Sequence, residues 1–110
     1  MSEKILTQHR ESKPFEEIKK GIKKIEIRLC DKKRRGIKLG QKIKLINRIN
    51  KNETLIVRVI GLSKFENFEK LFKVFNKEIK GYEKEILKRV YSKEKEKKFG
   101  VLVIHFELIK

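Results

Sequence analysis

The chain has 110 residues, of which 38% are hydrophobic and 42% charged, with a formal charge of +16 at pH 7. This length supports one modest core, so residues 1–110 are expected to form a single domain. The large positive charge favours an anionic partner, above all nucleic acid, which releases its condensed counterions when Lys and Arg neutralise its phosphates. No signal peptide or membrane-spanning apolar run is apparent, so we expect a cytoplasmic protein with no membrane partner.

The first elements are a short strand and a short helix. Residues Lys4–His9 predict the strand. Pro14 suits a first helical turn, with Glu16 and Glu17 at the positive end of the helix dipole. Gly21 is a typical left-handed stop, so the helix is predicted over Pro14–Lys20.

The apolar period changes to two from Lys23 onward. Ile25, Ile27 and Leu29 then lie on one face of a second strand, and Lys24, Glu26, Arg28 and Cys30 lie on the other. A basic turn at Asp31–Gly36 follows. The sequence next predicts a third strand at Lys42–Ile46, a hairpin connection at Asn47–Glu53 and a fourth strand at Thr54–Leu62.

The second half of the chain is mainly helical. Ser63 and Glu66 fit a capping box that opens a helix, and the helix has an apolar stripe over Phe68–Phe75. Another helix is predicted over Glu83–Tyr91. Ser92 caps a last helical turn that runs through Lys98, and Phe99–Ile109 is the final strand. The order β-α-β-β-β-α-α-β predicts an α+β fold, a small mixed β-barrel of about five to six strands with helices at its ends.

Positive charge is concentrated between Lys19 and Lys44. Only Glu26 and Asp31 oppose it there, so the segment has a net charge of +10. Such a segment suits a polyanion. The basic residues are Lys19, Lys20, Lys23, Lys24, Arg28, Lys32, Lys33, Arg34, Arg35, Lys38, Lys42 and Lys44.

The pattern P-F-x-x-I-x-x-G-x-K-x-x-E-x-R, read from Pro14 to Arg28, resembles the ASCH domain family, which belongs to the PUA-like group of small β-barrels. The element D-x-K-R-x-x-I-x-x-G at Asp31–Gly40 extends the resemblance, as do Tyr91 and the residues after it. The family usually has an aspartate after the second glycine, where this chain has Gln41.

The resemblance implies a cleft beside the second strand and a function in binding RNA or nucleotides. Some small members are amidohydrolases of acylated cytidine nucleosides, and others are reported to cut single-stranded RNA. In the amidohydrolase branch the lysine at the position of Lys23 is catalytic, with a threonine three residues later where this chain has Glu26. A helical glutamate also contributes there, and Glu78 is its loose counterpart here. Fold alone does not choose between binding and catalysis, so enzyme activity is left open.

We interpret the chain as a module that binds RNA or a modified nucleotide; the alternative is a hydrolase that uses Lys23 and Glu26. Glu26 and Arg28 share a strand face, which fits either a recognition pair or a structural ion pair. The charge run from Lys32 to Arg35 fits either a phosphate-contacting rim or a solvated turn. The predicted nucleic-acid-binding residues are Lys23, Lys24, Glu26, Arg28, Lys32, Lys33, Arg34 and Arg35.

The remaining polar and aromatic residues give weaker signals. His9, His105 and Cys30 form no metal-binding pattern, and no cofactor or metal is expected. Cys30 is expected to pack in the interior. Tyr82 and Tyr91 are candidates for base stacking, although tyrosines at helix edges are usually structural. A third interpretation is a basic surface that meets an acidic protein. The ligand, its bases and the oligomeric state are left open by the sequence.

Overall fold

A computed structural model of the chain describes residues 5–109 and contains five strands and four helices there. In chain order these are β1 (Leu6–Arg10), α1 (Ser12–Lys19), β2 (Ile25–Leu29), β3 (Lys42–Asn47), β4 (Thr54–Phe65), α2 (Phe68–Val74), α3 (Gly81–Val90), α4 (Lys93–Phe99) and β5 (Val101–Leu108). The order agrees with the predicted one, and α4 is the final helical turn that Ser92 was expected to cap. Of the predicted first strand, Lys4 lies outside the described residues.

The strands form one mixed sheet in the order β1-β3-β4-β5-β2. β1 runs parallel to β3, with Leu6 opposite Ile43 and Arg10 opposite Asn47. β3 and β4 are antiparallel, with Lys42 opposite Arg58. The predicted hairpin connection between these two strands is therefore confirmed, although Asn47 still belongs to β3.

Helix α1 ends in the way that Gly21 predicts. Gly21 has φ +76°, its N–H donates to the carbonyl of Ile18 at 3.0 Å, and the N–H of Ile22 donates to Glu17 at 2.9 Å. These two bonds form a Schellman motif, which satisfies carbonyls that the helix end would otherwise leave open. The chain leaves this turn at Lys23 and enters β2 two residues later.

The described residues fall into two compact units. The first comprises the described residues up to Glu26, Ile37–Leu62 and those from Ile104 onward. Its core is built from α1 and the inward faces of the strands, and its most buried side chains are Phe15, Ile18, Leu45, Val57 and Val59, all 1–2% exposed.

The second unit comprises Ile27–Gly36 and Ser63–Val103. Its core includes Phe68 and Leu71 from α2, Ile79, and Val101 and Val103 from β5, each at most 3% exposed. Cys30 is a free, buried thiol in this unit, as expected from the sequence.

Three predicted helix starts were wrong. α3 begins at Gly81, two residues before the predicted Glu83. α1 begins at Ser12, two residues early, so Glu16 and Glu17 lie beyond its first turn. Ser63 belongs to β4 and does not cap α2. Asn67 caps that helix instead, and its side chain accepts a hydrogen bond from the N–H of Lys70 at 2.9 Å. An Asn with an extended backbone is as good a cap as Ser, and strand β4 continues through the residues that resembled a capping box.

Candidate nucleic-acid interface

Glu26 forms a buried ion pair with Arg10, a residue that the sequence analysis did not single out. The Nε atom of Arg10 donates to Oε2 of Glu26 at 2.9 Å, and the two side chains are only 10% and 9% exposed. Arg10 ends β1 and Glu26 lies in β2, so the pair connects the two strands at opposite ends of the sheet order. A carboxylate buried to this degree needs such a partner, and this contact fits the structural alternative for Glu26.

Arg28 has a different environment from Glu26. It lies in the second unit, its side chain is partly exposed, and Nη1 donates to the carbonyl of Ile27 at 2.8 Å. Glu26 thus contacts Arg10, and Arg28 contacts the carbonyl of Ile27.

The first unit contains a hollow of about 340 Å³ beside the turn that leads from α1 into β2. Lys23 and Lys24 line it, with Lys24 exposed and Lys23 partly buried. Its other walls are mainly apolar and come from Ile18, Gly21, Ile60, Phe106 and Leu108, with Glu107 as the acidic member. Two predicted site residues therefore share one opening, and Glu107 was not predicted there.

The basic turn of the second unit is partly self-ordered. Asp31 accepts hydrogen bonds from the backbone N–H of Arg34 and from its Nη1, both at 3.1 Å. Arg35 Nε donates to the carbonyl of Cys30 at 3.2 Å. Lys32 and Lys33 are exposed and make no side-chain hydrogen bond or ion pair with residues 5–109. The two arginines thus shape the turn, and the two lysines face water.

Six lysines of the segment Lys19–Lys44 are exposed in the same way. Within the part of the chain that the structure describes, their ammonium groups have no hydrogen-bonding or ion-pair partner. They are Lys20, Lys24, Lys32, Lys33, Lys38 and Lys44, and all six are exposed.

Gln41 closes the turn that precedes β3. Its Oε1 accepts a hydrogen bond from the N–H of Lys38 at 3.2 Å, and its own N–H donates to the Lys38 carbonyl at 3.2 Å. The neutral amide thus performs the closure that a carboxylate would, and it leaves the basic segment without an added negative charge.

The weaker candidates are distributed as follows. His9 is exposed on β1, and the ring of His105 lies against Gly61. Tyr91 lines a hollow in the helical part of the second unit. Glu78 is exposed in the segment between α2 and α3.

Two general properties bear on the class of protein. Among residues 5–109, no group of three His, Cys, Asp or Glu side chains is placed to hold a metal ion. Over the same residues, no helix is both long and apolar enough to cross a bilayer.

Over the described residues, a five-stranded mixed sheet with four helices defines an α+β domain. The ASCH domain family matches residues 9–110, and the chain belongs to that family, as the sequence resemblance predicted. The predicted fold class is therefore confirmed.

The solved structures that are similar to the chain include the following three. The crystal structure of hypothetical protein PH0355 is 33% identical, with a TM-score of 0.80 over 96% of this chain and 100% of that one. Protein PF0455 from Pyrococcus furiosus is 30% identical, with a TM-score of 0.74 over 97% and 99%. An ASCH domain from Lactobacillus crispatus, 13% identical, shares the fold with a TM-score of 0.66 over 94% and 79%. None of the curated proteins matches the chain.

Proposed function

We propose that this ASCH domain binds RNA, or a nucleotide derived from it, mainly through phosphate contacts made by exposed lysines. The observation that carries the proposal is the set of six exposed lysines without partners in a segment of net charge +10. An ammonium group that is already paired gains little from a phosphate, whereas a solvated one can displace a counterion from the nucleic acid without breaking an existing contact.

Two groups of lysines have distinct roles in the proposal. Lys32 and Lys33 contact phosphates from the rim of the turn that Asp31, Arg34 and Arg35 hold in shape. Contacts of this kind position the nucleic acid without reading its sequence.

Lys23 and Lys24 serve the hollow of the first unit. Its apolar walls suit the face of a base or sugar, and Lys24 is exposed at its edge. A hollow of about 340 Å³ is near the lower end of the sizes typical of small-molecule sites, roughly 300–1,000 Å³. We assign Glu26 to the ion pair with Arg10 and not to the ligand, because its carboxylate is already satisfied at 2.9 Å.

The test is the salt dependence of binding to a labelled single-stranded RNA, measured by fluorescence anisotropy. In Lys32→Gln/Lys33→Gln, the slope of log K against log salt should fall by about 1.4, since each single-strand phosphate contact contributes about 0.7. If the two proteins converge at 1 M salt, the variant binds about 25-fold more weakly at 0.1 M.

A matched control removes the same charge elsewhere. Lys51 lies in the β3–β4 turn and Lys97 in α4, and both are exposed. Lys51→Gln/Lys97→Gln should change the slope by less than half as much. Equal slopes for the two double variants would show that only net charge matters and would remove the basic turn from the proposal. An affinity and slope that stay unchanged in Lys32→Gln/Lys33→Gln would do the same.

The alternative function, hydrolysis, receives less support from the geometry. It needs Glu26 near reacting atoms, but that carboxylate is 9% exposed and ion-paired. Incubation with acetylated cytidine, and separately with single-stranded RNA, should therefore give no turnover. Turnover that disappears in Lys23→Ala would favour the hydrolase over the binding module.

A further inference from the structure

The helical part of the second unit contains a hollow of about 720 Å³, bordered by α2, α3 and the start of α4. Its volume lies inside the range of small-molecule sites, roughly 300–1,000 Å³. The lining combines aromatic rings with ammonium groups, chiefly Phe72, Tyr91, Lys73, Lys88 and Lys93. The function proposed above makes no use of this hollow.

The two rings are braced from behind by a buried phenylalanine. Phe68 is 2% exposed, and its ring stacks on those of Phe72 and Tyr91 with centroids 5.9 Å apart in both cases. Phe72 and Tyr91 are themselves only partly buried. Rings fixed in this way lose little freedom when a flat ligand stacks on them.

Cations surround the rings. The Nζ atoms of Lys84 and Lys88 lie 5.6 and 6.0 Å from the centroid of Phe72, within cation–π range. Lys73 and Lys93 are exposed, and their ammonium groups have no partner among residues 5–109. Nζ of Lys84 also donates to Oδ1 of Asn76 at 2.7 Å, and Lys84 does not line the hollow. Lysine side chains are flexible, so the ammonium groups of Lys73, Lys88 and Lys93 have the reach to follow phosphates on either side of a stacked base.

The acidic residues of the hollow weaken this field only in part. Oε2 of Glu96 accepts a hydrogen bond from the N–H of Phe68 at 2.7 Å, so its charge is engaged at the start of α2. Glu69 is the other carboxylate in the lining. Residues 68–99 as a whole carry eleven Lys and Arg against six Glu, a net charge of +5. The positive charge therefore favours an anionic ligand in this hollow over a basic peptide.

We propose that this hollow binds an unpaired base of single-stranded RNA by stacking on Phe72 and Tyr91, with the flanking phosphates on Lys73 and Lys93. The inference rests on the proposed RNA-binding function and specifies the single strand as its substrate class. A paired base keeps its faces inside the duplex stack and is not available to these rings, so the hollow discriminates between strand states. Stacking of this kind tolerates any base, so little sequence preference is expected from it.

The experiment measures the affinity of the full chain for a single-stranded RNA and for a fully paired duplex of the same sequence. Phe72→Leu and Tyr91→Leu keep apolar volume but remove the aromatic face. Each should weaken single-strand binding at least about five-fold, the lower end of what one stacked base contributes, and leave duplex binding within about two-fold. Phe72→Trp should restore the affinity. A 2-aminopurine in the single strand reports stacking directly, through fluorescence quenching that Phe72→Leu abolishes.

The matched control is Phe75→Leu. Phe75 follows α2 directly and pairs edge-to-face with Phe65 at 5.8 Å, but it does not line the hollow. Thermal unfolding of each variant separates a binding loss from a folding loss.

The outcomes distinguish the two proposals. If the wild type binds single-stranded RNA and Phe72→Leu has no effect, or no more effect than Phe75→Leu, the stacking site is refuted and the RNA-binding function stands. Equal losses on single strand and duplex refute it as well. Wild-type protein that binds neither RNA refutes both.

Discussion

Replacing Arg10 with methionine tests the buried pair with Glu26, and it also removes the hydrogen bonds that Arg10 donates to the His9 carbonyl and to Oε1 of Gln8. Methionine keeps an apolar chain of similar length but leaves the Glu26 carboxylate, 9% exposed, without its 2.9 Å guanidinium partner. Breaking a buried pair from one side costs about 3–5 kcal/mol, because a charge remains in a poorly solvated place. The entropy of unfolding for 110 residues is about 0.23 kcal/mol/K, at roughly 2.1 cal/mol/K for each residue. The melting temperature of Arg10→Met should therefore fall by about 13–22 °C.

The double variant Arg10→Met/Glu26→Met separates an unpaired charge from lost packing. With both charges gone, the penalty for burial disappears, and the melting temperature should return to or exceed that of the wild type. Calorimetry or circular dichroism of the four proteins of this double-mutant cycle gives the coupling energy directly.

An exposed pair of the same chemistry provides the control. Nη1 of Arg48 lies 2.9 Å from Oε1 of Glu11, the same distance as in the buried pair, but these side chains are 61% and 62% exposed. Arg48→Met should cost less than about 1 kcal/mol, because water screens the pair. If Arg10→Met is no more destabilising than Arg48→Met, then burial does not govern the Glu26 pair and the reasoning fails.

Three further predictions concern local structure. Gly100→Ala should lower the free energy of unfolding, measured by chemical denaturation, by about 1–3 kcal/mol or more. Gly100 has φ +73° and ψ −177°, and an added Cβ would lie 3.0 Å from a backbone oxygen of β4. Gly36→Ala is the control and should be near neutral, because a Cβ there would meet nothing within 4 Å. Asn67→Ala should cost about 1 kcal/mol by removing the cap of α2, and an unchanged denaturation midpoint would contradict that role. The Lys70 ammonium is hydrogen-bonded to Glu66 at 2.6 Å and holds the pKa of that carboxyl below its usual value. The pair therefore stabilises the fold at pH values above the pKa of Glu66 in the unfolded chain. This stabilisation is lost as the pH falls through the lower pKa of Glu66 in the folded chain. An NMR titration should show the Glu66 pKa rising in Lys70→Met.

Much of the fold was predictable because the signals are local. The change of period at Lys23 marks the approach to β2, and the left-handed Gly21 ends α1 by a Schellman motif. Ser92 caps α4 as predicted, and its Oγ accepts a hydrogen bond from the N–H of Lys95 at 3.2 Å. In each case a backbone requirement within about six residues selects the residue type, so these features can be predicted from the local sequence alone.

The errors arose where local signals compete. The residues from Ser63 to Glu66 satisfy a capping box, yet pairing extends β4 to Phe65 and Asn67 becomes the cap. Glu66 pairs instead with Lys70, four residues on, which is an equally local contact. Which of the two contacts forms depends on how far the strand continues, and strand length is set by partners distant in sequence.

The sequence could not identify Arg10 as the partner of Glu26, because this contact also depends on residues distant in sequence. Arg10 lies sixteen residues away on a strand that is not adjacent to β2 in the sheet order. The pairing therefore depends on how the sheet is arranged in three dimensions, which alternating polarity in β2 does not encode. The same alternation also placed Arg28 beside Glu26, and nothing in the pattern distinguishes a carboxylate that awaits a ligand from one that an arginine already satisfies.

The Glu26 pair also constrains what kind of recognition this domain performs. A carboxylate that accepts from an exocyclic amine would read base identity, but one held by Arg10 at 2.9 Å has that capacity committed. In the two binding modes proposed above, the exposed lysines contact phosphates and the braced rings stack on any base, so neither mode reads sequence. We therefore expect binding that depends strongly on salt and strand state and weakly on sequence. Arg10→Met/Glu26→Met should bind RNA within about two-fold of the wild type, because neither charge contacts the ligand in the proposed modes. If the double variant folds but has lost affinity for RNA or a preference among bases, Glu26 belongs to the recognition surface after all.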